Sequence, residues 1–178
     1  DRYPIAEKRD NRIVTVGRLH PQKNPHLLLD AFIKIASKYP EMHLDFYGDG
    51  AMHDELQEKI YKLGLKNRVT LHSSRKDIFD CIRTARLFVL PSDYEGMPNA
   101  LMEAMSLGLP CISADCRPGG ARTLIDDGKN GFIVPVRDVN ALAEKMSYLL
   151  ENPDVAEQVA KEARHLGETH TNKVTFDK

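Results

Sequence analysis

Several features that would settle the chemistry of this 178-residue chain at once are missing from it. It has three cysteines, Cys81, Cys111 and Cys116, and no Cys-x-x-Cys pair. An odd count at that spacing argues against a disulfide framework or a thiolate zinc site. Cys81 and Cys111 are expected in the core, as the reduced thiols of a cytosolic protein. Neither sign of charge is in excess: 25 Lys and Arg oppose 26 Asp and Glu, for a net −1. No global field therefore draws the chain to nucleic acid or to an anionic membrane. No apolar run approaches the length of a membrane span, no signal peptide opens the chain, and no basic amphipathic face stands out. His-Glu-x-x-His, Gly-x-Ser-x-Gly and metal-ligand clusters are absent, so zinc-protease, serine-hydrolase and metal-dependent readings have no support. What is present is ordinary for a globular chain: 42% apolar and 29% charged residues, enough for one domain with its own core.

The pattern alternates strand and helix almost without exception. Arg12-Ile13-Val14-Thr15-Val16, His43-Leu44-Asp45-Phe46-Tyr47, Val69-Thr70-Leu71, Leu87-Phe88-Val89-Leu90, Pro110 to Ala114 and Phe132-Ile133-Val134 read as six short strands. Helical spacing follows most of them. Leu28, Ala31, Phe32 and Ile35 define a helix from Pro25 to Lys38, with Asn24 as its cap. Leu56, Ile60 and Leu63 define one from Met52 to Leu63. Later helices open after Asp138 and at Pro153, the last ending near Gly167. The fold expected is α/β: a doubly wound, parallel, six-stranded, Rossmann-like sheet with helices on both faces. Residues 1–11 read as a linker or stub, 12–167 as a single domain and 168–178 as a polar tail.

Ligands of such sheets bind beyond the carboxyl ends of the strands. The residues there are Gly17, Arg18 and Lys23; Gly48 and Gly50; His72 and Ser73; Asp93 to Asn99; and Asp115 to Gly120. Glycines, cations, hydroxyls and carboxylates gather at this edge, as a polar, phosphate-bearing ligand requires. Arg18 offers a planar fork and Lys23 a point charge, both suited to a diphosphate, although solvated surface charges would look the same. Gly48-Asp49-Gly50 begins like a dinucleotide fingerprint but has His53 where the third glycine belongs, so a tight strand-to-helix turn is the better reading. His20 and His72 sit in expected loops and form no triad pattern.

The densest stretch is Pro91-Ser92-Asp93-Tyr94-Glu95-Gly96-Met97-Pro98-Asn99-Ala100-Leu101-Met102-Glu103-Ala104-Met105. A buried strand feeds it, and Pro98 suits the first turn of a helix. A loop that ends on a helix N-terminus is a natural anion site. Glu95 and Glu103, with seven residues between them, need another explanation beside an anion. Glu103 shares a helix face with Asn99 and Ser106, opposite Leu101, Ala104 and Met105, so it need not be buried: it reads either as a solvated carboxylate or as an acceptor of hydrogen bonds from two vicinal hydroxyls.

These stretches, with Val16-Gly17-Arg18-Leu19, Lys23-Asn24, Phe46 to Gly50 and Asn130-Gly131-Phe132, extend in order over nearly the whole chain. The chain thereby resembles the C-terminal, donor-binding domain of family 4 retaining glycosyltransferases of the GT-B fold. The resemblance implies transfer of a sugar from a nucleotide-sugar with retention at the anomeric carbon. It implies that Arg18 and Lys23 hold the diphosphate, Glu95 the donor sugar and Glu103 the ribose. It brings main-chain groups from Gly96, Met97, Pro98 and Asn99 close to sugar and phosphate. It also puts base contacts, largely main-chain, at His72 and Ser73. No cofactor and no metal is implied. A UDP-sugar is expected first, then a GDP-sugar, then an ADP-sugar. Two departures are Arg122, near where many relatives carry a glutamate after the Gly119-Gly120 pair, and Ser73, where glycine is frequent.

The resemblance further implies a preceding acceptor domain that nothing before Arg12 supplies, so residues 1–178 are expected to bind donor and transfer little. The acceptor would be a saccharide or lipid-linked. Location would be cytoplasmic, with peripheral contact at the inner membrane face only through the absent domain. A stand-alone, non-catalytic nucleotide-sugar-binding module is the competing reading, and a nucleotide-sugar epimerase a more distant third.

Overall fold

The computed structural model describes the backbone of residues 2–175 and the side chains of residues 2–166. Six parallel strands form one sheet: β1 (Arg12–Val16), β2 (His43–Tyr47), β3 (Val69–His72), β4 (Leu87–Leu90), β5 (Cys111–Ala114) and β6 (Phe132–Val134). Their spatial order is β3-β2-β1-β4-β5-β6. The connection from β3 to β4 crosses back over the sheet, so β1 and β4 are neighbours whose following loops diverge. That divergence opens a crevice at the carboxyl edge between them.

Seven helices lie between and after the strands among the described residues: α1 (Pro25–Ile35), α2 (His53–Lys62), α3 (Ile78–Ile82), α4 (Asn99–Ser106), α5 (Gly120–Leu124), α6 (Val139–Glu151) and α7 (Pro153–Thr175). Period-two alternation on the strands feeds two cores. Ile13, Leu44 and Phe46 face one side with α1, α2 and α6; Val14, Tyr47, Phe88 and Leu90 face the other with α3 and α4. The expected apolar stripe of α1 is buried, and the Asn24 side chain caps it by accepting from Leu27 N at 3.3 Å. On α4, Leu101, Ala104 and Met105 are buried, as their spacing requires.

Several local expectations are corrected. The last helix does not stop near Gly167 but continues to Thr175, since glycine weakens a helix interior without forbidding it. Residues 176–178 of the expected tail lie outside the described residues. Cys111 is buried, and burial pushes its thiol far up. Cys81 is only half-buried, and it is Cys116 that joins the core. The segment before β1 has no regular element but is not loose. Tyr3 packs edge-on against Phe79 at 5.5 Å. Arg9 binds the Glu157 carboxylate at 2.6 Å and the Gly108 carbonyl at 2.7 Å.

Candidate donor site in the crevice between β1 and β4

Beyond β1 the chain makes a tight turn. His20 Nδ1 accepts from Gln22 N at 3.3 Å and closes a single 3-10 turn, Pro21–Lys23. His20 thus serves the backbone. The turn is tied across the crevice to the loop after β4. Asp93 N donates to the Gln22 carbonyl at 2.9 Å, Gln22 Nε2 to the Tyr94 carbonyl at 3.0 Å, and Asn24 Nδ2 to Asp93 Oδ1 at 3.0 Å. Arg137, beyond β6, holds the other oxygen of Asp93 at 3.0 Å. Asp93 is therefore the knot that fixes one wall to the other. Its part went unread in the sequence because its partners are 69 and 44 positions away.

The cleft so formed, about 260 Å3, is lined by Val16, Gly17, Arg18, Lys23, Leu90, Glu95, Met97, Pro98, Asn99 and Ala100. Seven of the eleven residues singled out by sequence thus share one hollow. Gly96 lies within the same loop, and Glu103 one turn farther along α4 from Asn99. His72, the last residue of β3, and Ser73, just past it, stand apart from it. His72 is also not a loop residue. It ends β3 in register with Tyr47, because Gly48 N donates to its carbonyl at 2.9 Å and prolongs the ladder.

The charges are arranged unequally. Arg18 is exposed and has no ion pair among the described residues. The Lys23 ammonium instead pairs with Glu95 Oε1, which also accepts from the buried Ser92 hydroxyl at 2.9 Å. Glu95 is 6% exposed, so an unpaired charge there would be costly. Glu103 has no ion-pair partner among the described residues, and desolvation pushes its carboxyl up from the ordinary glutamate range. No side chain caps α4; Asn99 N donates to the Met97 carbonyl at 3.0 Å, which leaves the N–H groups of Ala100 and Leu101 for solvent or a ligand.

Three close approaches fix this geometry. A Cβ at Gly120 would lie 2.2 Å from the Gly96 carbonyl oxygen, so the turn into α5 packs directly on the Glu95–Pro98 loop. A Cβ at Gly48 would lie 2.0 Å from the Gly17 carbonyl oxygen, and one at Gly50 2.4 Å from that of Leu19. The Gly48-Asp49-Gly50 turn therefore buttresses the Arg18 loop, in keeping with its reading as a tight turn. Arg122, which departs from the expected glutamate, forms a two-pronged pair with Asp115 at 2.8 and 2.9 Å. Among the described residues no three His, Cys, Asp or Glu side chains come close enough together to hold a metal.

This geometry agrees with the match of residues 3–166 to the model of the glycosyl transferases group 1 family. The chain belongs to that family. Among curated relatives of this group 1 domain is an Escherichia coli UDP-Gal:alpha-D-GlcNAc-diphosphoundecaprenol alpha-1,3-galactosyltransferase, 36% identical over 141 residues, covering 77% of this chain and 36% of the relative. Among solved structures, Anabaena HepE in complex with UDP is 28% identical with a TM-score of 0.81, over 90% of this chain and 44% of HepE. A substituted S. aureus TarM, solved with Fondaparinux, alpha-GlcNAc-glycerol and UDP, is 24% identical with a TM-score of 0.87, over 97% of this chain and 36% of that one. The group 1 domain thus has the Rossmann-like fold of a GT-B donor-binding domain. The chain spans 26% and 47% of the length of the first two curated relatives it matches. No helix among the described residues is long and apolar enough to cross a membrane.

Proposed function

We propose that this domain binds the nucleotide-sugar donor, a UDP-hexose, of a retaining family 4 glycosyltransferase whose acceptor is a saccharide or a lipid-linked saccharide. One observation carries the reading. Arg18, Lys23, Glu95 and the uncapped N-terminus of α4 share a single cleft at the point where the strand order reverses. A diphosphate laid there meets one free guanidinium, one ammonium and the positive end of a helix dipole. Cleavage of the glycosyl–phosphate bond builds negative charge on the departing diphosphate, and fixed donors stabilise that charge as it grows. Each such donor is worth about 2.7–4 kcal/mol in the transition state. Arg18 and Lys23 are the groups assigned to that task. Glu95 orients the sugar through Oε2, the oxygen that takes no protein donor among the described residues. Glu103 accepts from the ribose hydroxyls. Gly17 and Gly96 to Asn99 line the diphosphate and sugar, and His72 and Ser73 lie toward the base.

UDP is preferred because the HepE complex contains UDP and the E. coli relative is named for a UDP-sugar; a GDP-sugar is second. The domain needs no metal or cofactor in this reading. The chain alone binds donor and transfers little, since the acceptor is held by a further domain. The full protein works in the cytoplasm, where nucleotide-sugars are made. Calorimetry of UDP with residues 1–178 tests the reading. Binding is expected, and Arg18→Ala is expected to weaken it about tenfold or more. Absence of UDP and GDP binding, or brisk transfer by this chain alone, overturns it.

A further inference from the structure

The Glu95 carboxylate is held by one of its two oxygens. Oε1 takes the Lys23 ammonium and the Ser92 hydroxyl, the latter at 2.9 Å. Oε2 has no donor among the described residues. The one sealed side-chain atom without a partner among them is His72 Nε2, so Glu95 Oε2 is not closed off, and Glu95 lines the cleft. The free oxygen therefore opens onto the cleft. The two donors to Oε1 differ in kind. Lys23 carries its charge on a flexible stem and lines the same cleft. Ser92 is neutral, short and completely buried, and it is not among the residues that line the cleft. The chain on either side of it is fixed, by β4 before it and by two main-chain bonds after it. Asp93 N donates to the Gln22 carbonyl at 2.9 Å, and Glu95 N to the Arg117 carbonyl at 2.8 Å.

The difference matters once a diphosphate arrives. Its oxygens compete with Glu95 Oε1 for the Lys23 ammonium. The last torsion of a glutamate is broad, so a carboxylate held only by a shared lysine turns about it. The Ser92 hydroxyl lies out of reach of a phosphate, and a ligand cannot draw it away. It is the donor that keeps Oε1 in place in the loaded site. With Oε1 in place, Oε2 has one direction in which to accept.

We propose that Ser92 is the positioning residue of the sugar subsite: its hydroxyl anchors Glu95 Oε1 so that Oε2 meets a hydroxyl of the donor sugar. The proposal rests on the donor-domain reading, in which Glu95 orients the sugar. Ser92 touches no ligand and acts only through Glu95. Its loss is therefore felt by the sugar and not by the nucleotide. UDP lacks the sugar and meets Arg18, Lys23 and the start of α4, all of which a change at Ser92 leaves in place. The ratio of UDP-sugar to UDP affinity isolates the effect.

Calorimetry of residues 1–178 with UDP, UDP-glucose, UDP-galactose and UDP-N-acetylglucosamine measures that ratio. Ser92→Ala keeps Lys23 as counter-ion to Glu95 and is expected to fold. It is expected to lower the ratio for the best-bound sugar about fivefold, with UDP affinity unchanged. Ser92→Cys restores the bulk with only a weak donor, and is expected to follow Ser92→Ala rather than the parent chain. Adding Ser92→Ala to Glu95→Ala is expected to leave the ratio where Glu95→Ala alone puts it. A purely structural role weakens UDP and UDP-sugar alike and is repaired by the thiol. An unchanged ratio in Ser92→Ala, a parent-like ratio in Ser92→Cys, a further fall in the double variant, or binding of UDP without any of the three UDP-sugars overturns this inference and leaves nucleotide binding standing. Binding of none of the four removes this inference, and absence of GDP binding as well removes the donor-domain reading with it.

Discussion

Two carboxylates on the same strand–loop–helix unit sit in opposite physical states. Glu95, in the loop, is buried and fixed: the Lys23 ammonium and the Ser92 hydroxyl both bind its Oε1. Glu103, on α4, has no ion-pair partner among the described residues, and desolvation raises its pKa. The first is an organised part of the fold before any ligand arrives. The second carries an unmet need for hydrogen-bond donors, which a pair of sugar hydroxyls would supply. Lys23 and Arg18 repeat the contrast among the cations, one committed to a carboxylate and the other free. Committed groups set the geometry of the cleft, and free groups gain the most from a ligand.

Breaking the committed pair is the most severe test. Lys23→Ala leaves Glu95 buried without its counter-ion, and about 3 kcal/mol of unfolding free energy is expected to disappear in urea titrations, along with diphosphate affinity. Equal stability of the variant and the parent chain would falsify the view that Glu95 is structurally committed. Gly120→Ala comes next. Its methyl collides with the Gly96 carbonyl, so a loss of about 1–3 kcal/mol by the same method is expected, together with weaker UDP binding as the loop is displaced. A silent Gly120→Ala would mean that the α5 turn does not brace the loop.

Glu103→Ala is smaller in stability but selective in binding. Preference for UDP over its 2′-deoxyribose analogue is expected to fall roughly tenfold in calorimetry. A preference that survives the substitution removes Glu103 from the ribose.

The pH dependence of Glu103 follows from the sign of its shift. A carboxyl whose folded pKa is raised holds its proton more tightly in the native state. That stabilisation is complete below the ordinary glutamate value of about 4.3 and is lost as pH rises through the folded value. Glu103→Gln is therefore expected to gain stability on the parent chain as pH climbs from about 4.3 toward neutrality. A pH-independent difference in thermal melts contradicts this. Least of all, Arg18→Ala is expected to change unfolding free energy by under about 0.5 kcal/mol while still weakening UDP. A large stability loss would show that Arg18 is not free.

How much was legible beforehand depended on range. The Asn24 cap, the buried stripe of Leu101, Ala104 and Met105, and the Gly48 turn were readable because each is local in sequence. Cys81, expected in the core, is only half-buried, and the burial of Cys116 had no local signal, since burial depends on which neighbours arrive from elsewhere. His72 was read as loop because the apolar run ends at Leu71, yet pairing with Tyr47 carries the strand one residue farther. The knot at Asp93 and the partnership of Glu95 with Lys23, 72 positions away, left no local trace.

The sequence by itself determined the alternation of strands and helices, the two core faces and the glycine, cation and carboxylate content of the strand ends. Those follow from periodicity and backbone preference, which act over a few residues. Only the tertiary structure decided that β1 and β4 are neighbours, and therefore that Arg18 and Lys23 face Glu95 and the start of α4 across one crevice. Strand order is settled by how the crossover helices pack on the two faces of the sheet, and that packing is a property of the whole chain.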